Sequence, residues 1–150
     1  MILDGNLQLS NSQAVTATAD STNIIDLANA GDLGAGEDIR VAITTIVAAT
    51  AAGAATLNIQ LVGAAAGDSG FGSPQILDET SPIPKANLPI GARFELNIPR
   101  IWQGAAALAS VRYLKLTYTV ATGPLTAGSF SANLTKVNQD NRSYAANFAT

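Results

Sequence analysis

The 150 residues contain no cysteine and no histidine. The first absence removes disulfides, zinc-thiolate sites and thiol nucleophiles together. The second removes the side chain most used for proton transfer near neutral pH, which is also the commonest metal ligand. Catalysis would have to run on carboxylates, hydroxyls, lysine and tyrosine, so the composition weighs against an enzyme. Charge is sparse too: 13% of residues are Asp, Glu, Lys or Arg, with a net charge of −3. That balance argues against electrostatic attachment to nucleic acid. No apolar run approaches the ~18 residues of a membrane-spanning helix, and Met1-Ile2-Leu3-Asp4 lacks the basic-then-apolar order of a secretory signal. The expectation is a soluble protein made in the cytoplasm, with no membrane partner.

Of the hydrophobic 47%, a large share is alanine, 28 residues in all, so the number of bulky core side chains is smaller than the percentage implies. What remains is arranged with period two. In residues 112–120, Leu114, Leu116, Tyr118 and Val120 alternate with Tyr113, Lys115, Thr117 and Thr119, the pattern of a half-buried strand. Gly123-Pro124 and Ala127-Gly128 close it. Residues 129–135 then alternate again, with Phe130, Ala132 and Leu134 on one side, which predicts an antiparallel hairpin. A second hairpin is predicted from residues 39–47, carrying Ile39, Val41, Ile43, Thr45 and Val47 on one parity, and residues 56–62, carrying Leu57, Ile59 and Leu61, with the turn at 51–54. Shorter strands are expected at 7–9, 14–19, 23–27, 75–80 and 92–98. Pro82, Pro84 and Pro89 mark an extended connection through which no central strand can run.

Residues 63–73 read as a flexible Gly-rich loop with Phe71 as its only anchor, and 100–110 as a connector whose Ala-rich run could form a helical turn or two. The sum is one domain over residues 1–150, all-β, a jelly-roll-like β-sandwich of about eight antiparallel strands with extended terminal arms at about 1–11 and 138–150. Leu57, Ile59, Leu61, Phe94, Leu96, Leu114, Leu116 and Phe130 are expected in one core. The charges divide unevenly: the first 80 residues hold nine Asp or Glu against Arg40, and residues 81–150 hold Glu95 and Asp140 against seven Lys or Arg. Internal balancing of the two halves is the simpler expectation, complementary surface poles the other.

Sites with chemical meaning are few. Gly67-Asp68-Ser69-Gly70 matches the surroundings of a serine-protease nucleophile, but that chemistry needs an imidazole, which the chain lacks. Glu37-Asp38 and Asp78-Glu79 are adjacent carboxylates that a strand would point to opposite faces, and neither they nor Asp20 and Asp32 have the spacing of a calcium loop. Gly34-Ala35-Gly36 lacks the third glycine of a dinucleotide site, and no phosphate-loop motif occurs. No cofactor, metal or small-molecule substrate is therefore expected. Trp102, Tyr113, Tyr118 and Tyr144 could form a sugar-stacking platform, the basis for a lectin-like alternative, although the parity of Tyr118 places it in the core.

Several short motifs occur in a familiar succession: Met1-Ile2-Leu3-Asp4, Ser12-Gln13-Ala14-Val15-Thr16, Asn23-Ile24-Ile25-Asp26-Leu27 and Gly34-Ala35-Gly36-Glu37. Ile83-Pro84 with Leu88 and Gly91, residues 112–118, Thr126-Ala127-Gly128 and Tyr144 follow. In this order and spacing the chain resembles the capsid cement, or decoration, proteins of short-tailed bacteriophages, typified by that of the Bordetella tropism-switching phage. The resemblance implies a jelly-roll-like fold without catalysis. It also implies a homo-oligomer, a dimer or trimer, that sits on the outer surface of the virion and clamps neighbouring major capsid subunits. Terminal arms can order on a partner, so the candidate contacts for capsid binding or self-association are Ile2, Leu3, Leu7, Leu9, Trp102, Arg142, Tyr144 and Phe148.

Overall fold

A computed structural model describes residues 5–27, 39–98 and 111–136. Ten strands run through them: β1 (Gln8–Ala14), β2 (Ala19–Asp20), β3 (Ile25–Asp26), β4 (Arg40–Thr50), β5 (Thr56–Ala65), β6 (Gln75–Glu79), β7 (Ile83–Pro84), β8 (Arg93–Asn97), β9 (Val111–Ala121) and β10 (Ala127–Thr135). Short 3₁₀ turns occupy Gly5–Leu7 and Lys85–Asn87. Every strand pairing is antiparallel.

One sheet has the order β1-β10-β4-β8, the other β2-β9-β5-β6, with β3 also on β9 and β7 also on β5. Taking β2 with β3 and β6 with β7 as single interrupted strands leaves eight strands, four per sheet, in the double Greek-key order of a jelly roll. The expected fold class, an all-β sandwich, is therefore the observed one. The two inner faces meet in a core of Leu9, Val15, Ile43, Leu57, Ile59, Leu61, Leu88, Leu96, Leu114, Leu116, Tyr118 and Phe130, each at most 1% exposed. Phe94, expected among them, is only partly buried at the core's margin.

The predicted hairpins do not form. β4 lies in the four-stranded sheet and β5 in the six-stranded one, and β9 and β10 are divided the same way. Alternation plus a short loop fits a hairpin and a crossover between packed sheets equally well, and in a jelly roll most connections cross. Only β5 and β6 are chain neighbours paired as a hairpin. Nor is 14–19 one strand: β1 ends at Ala14 and β2 begins at Ala19, because the chain changes sheets between them, with Val15 buried at the crossing. β4 carries two register shifts against β10, one on each side of Ser129↔Val47. A bulge flips the parity of the residues after it, and the second shift restores it. Val41, Ile43, Thr45 and Ala49 stay buried while Val47 emerges at 48% exposure.

Both open edges are stitched. Along β1, Asn23 donates its backbone N–H to Leu9 O (2.9 Å) and its side-chain amide to Gln8 O (3.0 Å). Gln13 completes that side, its Nε2 donating to Asp20 O (2.7 Å) and its Oε1 accepting from Thr22 N and Thr22 Oγ1 (both 2.9 Å). On the other side Asn97 N, on β8, donates to Asp78 Oδ2, on β6 (2.7 Å), tying one sheet to the other. These stitches occupy some of the backbone groups through which an added strand would pair, among them Gln8 O, Leu9 O and Asn97 N.

Candidate interaction surface

Two of the residues proposed as partner contacts belong to the body of the fold. Leu9 is fully buried in β1, and Leu7 packs against the same core. The segment 5–11 is thus not a free arm; its leucines are held because β1 pairs along β10. Ile2, Leu3, Trp102, Arg142, Tyr144 and Phe148 lie outside the described residues, as does the Ala-rich connector. Tyr118 is fully buried, stacked on Phe130 with ring centroids 5.8 Å apart. Tyr113 packs against Val62, Ala64 and Phe71 under the Arg112 guanidinium, 5.1 Å from its ring centroid. A sugar platform would have to be built without Tyr118.

All six carboxylates among the described residues brace the fold. Asp26 takes a two-pronged pair of hydrogen bonds from Arg112 (2.8 and 2.7 Å), an arrangement that holds the guanidinium above its ordinary pKa. Asp20 accepts from Lys115 Nζ and Thr117 Oγ1, each at 2.8 Å. Desolvation works to raise the Asp20 pKa, but Lys115 and Thr117 outweigh it and hold the carboxyl below its usual range. Glu79 Oε2 accepts from Gln60 (2.7 Å) and Asn58 (3.2 Å), which also depresses its pKa. Glu95 pairs with Arg40 at 2.8 Å. Asp78 accepts from the backbone of Glu79 and Asn97, and Asp68 from that of Gly72 and Ser73. Asp20–Lys115 and Asp26–Arg112 each join the acidic half of the chain to the basic half. Among the described residues no three carboxylates gather in a metal-ligating group.

At one end of the sandwich the loops at 15–18, 51–55, 85–92 and 122–126 meet. Leu125 N donates to Thr16 O (3.0 Å), Thr126 N to Thr50 O (2.7 Å) and Lys85 N to Ala55 O (3.2 Å). Thr16, Ala17, Ala52, Gly53, Thr122, Gly123 and Pro124 are exposed there. Lys85 is the sole charged residue of the four loops, and its Nζ donates to Ala51 O. Thr45 N to Ala92 O (2.8 Å) and Ala49 N to Leu88 O (3.0 Å) lay the 88–92 stretch along β4. This sets Ile90, 71% exposed, opposite the exposed pair Ile46 and Val47. The result is an end of small side chains with one charge, Lys85, and an apolar shoulder. Sequence periodicity missed the shoulder, since it arises from the β4 bulges and from an isoleucine inside a Pro-Gly turn; the one signal was an apolar residue, Ile90, between Pro89 and Gly91.

Compared with known protein families, the chain matches the family model described as Bbp16 over residues 9–134. No curated protein matches it. The matched span starts and ends on core residues, Leu9 and Leu134, and so takes in all ten strands in whole or nearly so. No helix among the described residues is long and apolar enough to cross a membrane.

Proposed function

The chain belongs to the Bbp16 family, a Bordetella phage protein family, and from that membership we propose that it is a structural virion protein, a non-catalytic cement on the outside of a phage shell. In this role it clamps neighbouring major capsid subunits as a dimer or trimer. The observation that carries the reading is the family match across the whole sandwich. Two features of the fold support it: the six carboxylates among the described residues are committed to bracing, and the exposed end formed by the four loops carries only Lys85 as a charge and is rich in small side chains, which allow close approach of another protein. Docking would use this end, with Ile46, Val47 and Ile90 as its apolar part.

A ligand that binds only the assembled shell stabilises it by roughly RT ln(1 + [L]/Kd) per site, so many copies of modest affinity suffice. Shells stripped of the protein should break at lower temperature or force than complete ones, and adding purified protein back should restore them. The double substitution Ala52→Glu with Ile90→Asp should fold normally yet fail to restore the shell. Equal shell stability with and without the protein would overturn the cement role. Full restoration by the double variant would move the docking surface elsewhere.

A further inference from the structure

Residues 66–74, between β5 and β6, lie across the outer face of the six-stranded sheet. Phe71 is buried there against Val62 and Ala64, with Tyr113 beside them. This small cluster is separate from the main core because Val62 and Ala64 point away from Leu57, Ile59 and Leu61, on the opposite face of the same strand. Its fastenings are local. Asp68 Oδ1 accepts from Gly72 N (2.7 Å) and Asp68 Oδ2 from Ser73 N (2.9 Å). Asp68 N donates to Ala65 O (2.9 Å) and Phe71 N to Asp68 O (3.1 Å). Over the Phe71 ring stands Lys115 Nζ, 4.3 Å from the centroid, while the same ammonium holds Asp20 at 2.8 Å.

The closed form also carries strain. Phe71 has φ of 54°, a left-handed conformation uncommon for a bulky residue and retained only where surrounding contacts impose it. Gly67 and Gly70, both on the N-terminal side of Phe71, have open space around them. We propose that residues 66–74 are a strap that opens as a unit while the sandwich stays folded. Opening uncovers Val62, Ala64 and Tyr113 next to Ile76, which pairs with Val62 and is 57% exposed, and so creates a continuous apolar patch on demand. Local units with few core contacts open at far lower free energy than the whole fold. Lys115 is the latch, joining the strap to β2. The device operates whether or not the chain binds a shell.

The test uses the full chain, Asp68→Ala and Lys115→Met, with amide hydrogen exchange and a dye that fluoresces on exposed apolar surface. Both substitutions should speed exchange at Phe71, Gly72 and Ser73 by about tenfold or more, leave Ile59 and Leu116 unchanged, and raise dye fluorescence. Equal acceleration of the strap and of Ile59 and Leu116 would show that the strap opens only with the whole fold. Unchanged dye binding, with strap exchange accelerated, would show that no patch is uncovered. Either result overturns the proposal.

Discussion

At Tyr118 the fold buries a phenol and satisfies it. The hydroxyl donates to Ser10 Oγ at 3.0 Å, and Ser10 Oγ donates onward to Gln13 Oε1 at 2.8 Å, so a polar chain runs from the core to the stitched β1 edge. Burial pushes the Tyr118 pKa up to about 12, and the Ser10 hydrogen bond, which works to lower it, only partly offsets that. The folded value lies above the ordinary value of 10.0, so the folded state holds the proton more tightly than the unfolded chain does. The linked stability is therefore complete below pH 10 and falls as pH rises from about 10 to 12, by roughly 2–3 kcal/mol over that window. Denaturant unfolding across pH 9–12 should show this decline, and Tyr118→Phe should remove most of it while costing about 1 kcal/mol at neutral pH. A decline that persists unchanged in Tyr118→Phe would assign it to other groups.

At the scale of the strand, Gly63 shows how closely β5 is approached. A Cβ there would lie 2.8 Å from Val111 Cγ1 and 3.0 Å from Leu77 Cδ1, so in Gly63→Ala the Val111 and Leu77 side chains must shift. Overpacking of this kind costs about 1–3 kcal/mol. Thermal unfolding of Gly63→Ala should show a lowered Tm, whereas Gly53→Ala, at an open turn, should be close to neutral; equal values would show that β6 yields freely. In the sequence Gly63 looks like the start of a loop, but β5 continues through it to Ala65. Small residues without alternation cannot announce a strand, although alternation does so well in β9, where Leu114, Leu116 and Tyr118 are buried as their parity requires. Strand existence and core parity were legible for that reason. Sheet membership was not, because the partner of β9 is fixed by contacts with β5, β2 and β3 far away in the chain. Asp68 was missed as a second anchor of the 66–74 loop because its role depends on the turn that brings Gly72 and Ser73 back to it. The contact surface was the least legible part: Leu9 reads as a terminal apolar residue until β10 pairs with it, and the shoulder at Ile46, Val47 and Ile90 exists only after two bulges.

For the molecule as a whole, the charges of the described residues offset one another. The described residues carry six Lys or Arg and six Asp or Glu, with the acidic ones held by hydrogen bonds within the fold. Of these charged residues, only Lys85 lies at the four-loop end, and its ammonium is turned to a backbone carbonyl. An attachment made through this end would rest on shape and apolar burial, and salt screening would have little to act on. Raising NaCl from about 0.05 to 0.5 M should then change the rate at which the protein leaves purified shells by less than about twofold, because screening acts on contacts made through exposed charges. Ile90→Asp should speed release at every salt concentration. Attachment through charged segments such as the one containing Arg142 would behave differently, with release climbing steeply as salt rises. That steep climb, measured together with an unchanged rate for Ile90→Asp, would reject the four-loop end as the docking surface and assign the contact to charged residues elsewhere in the chain.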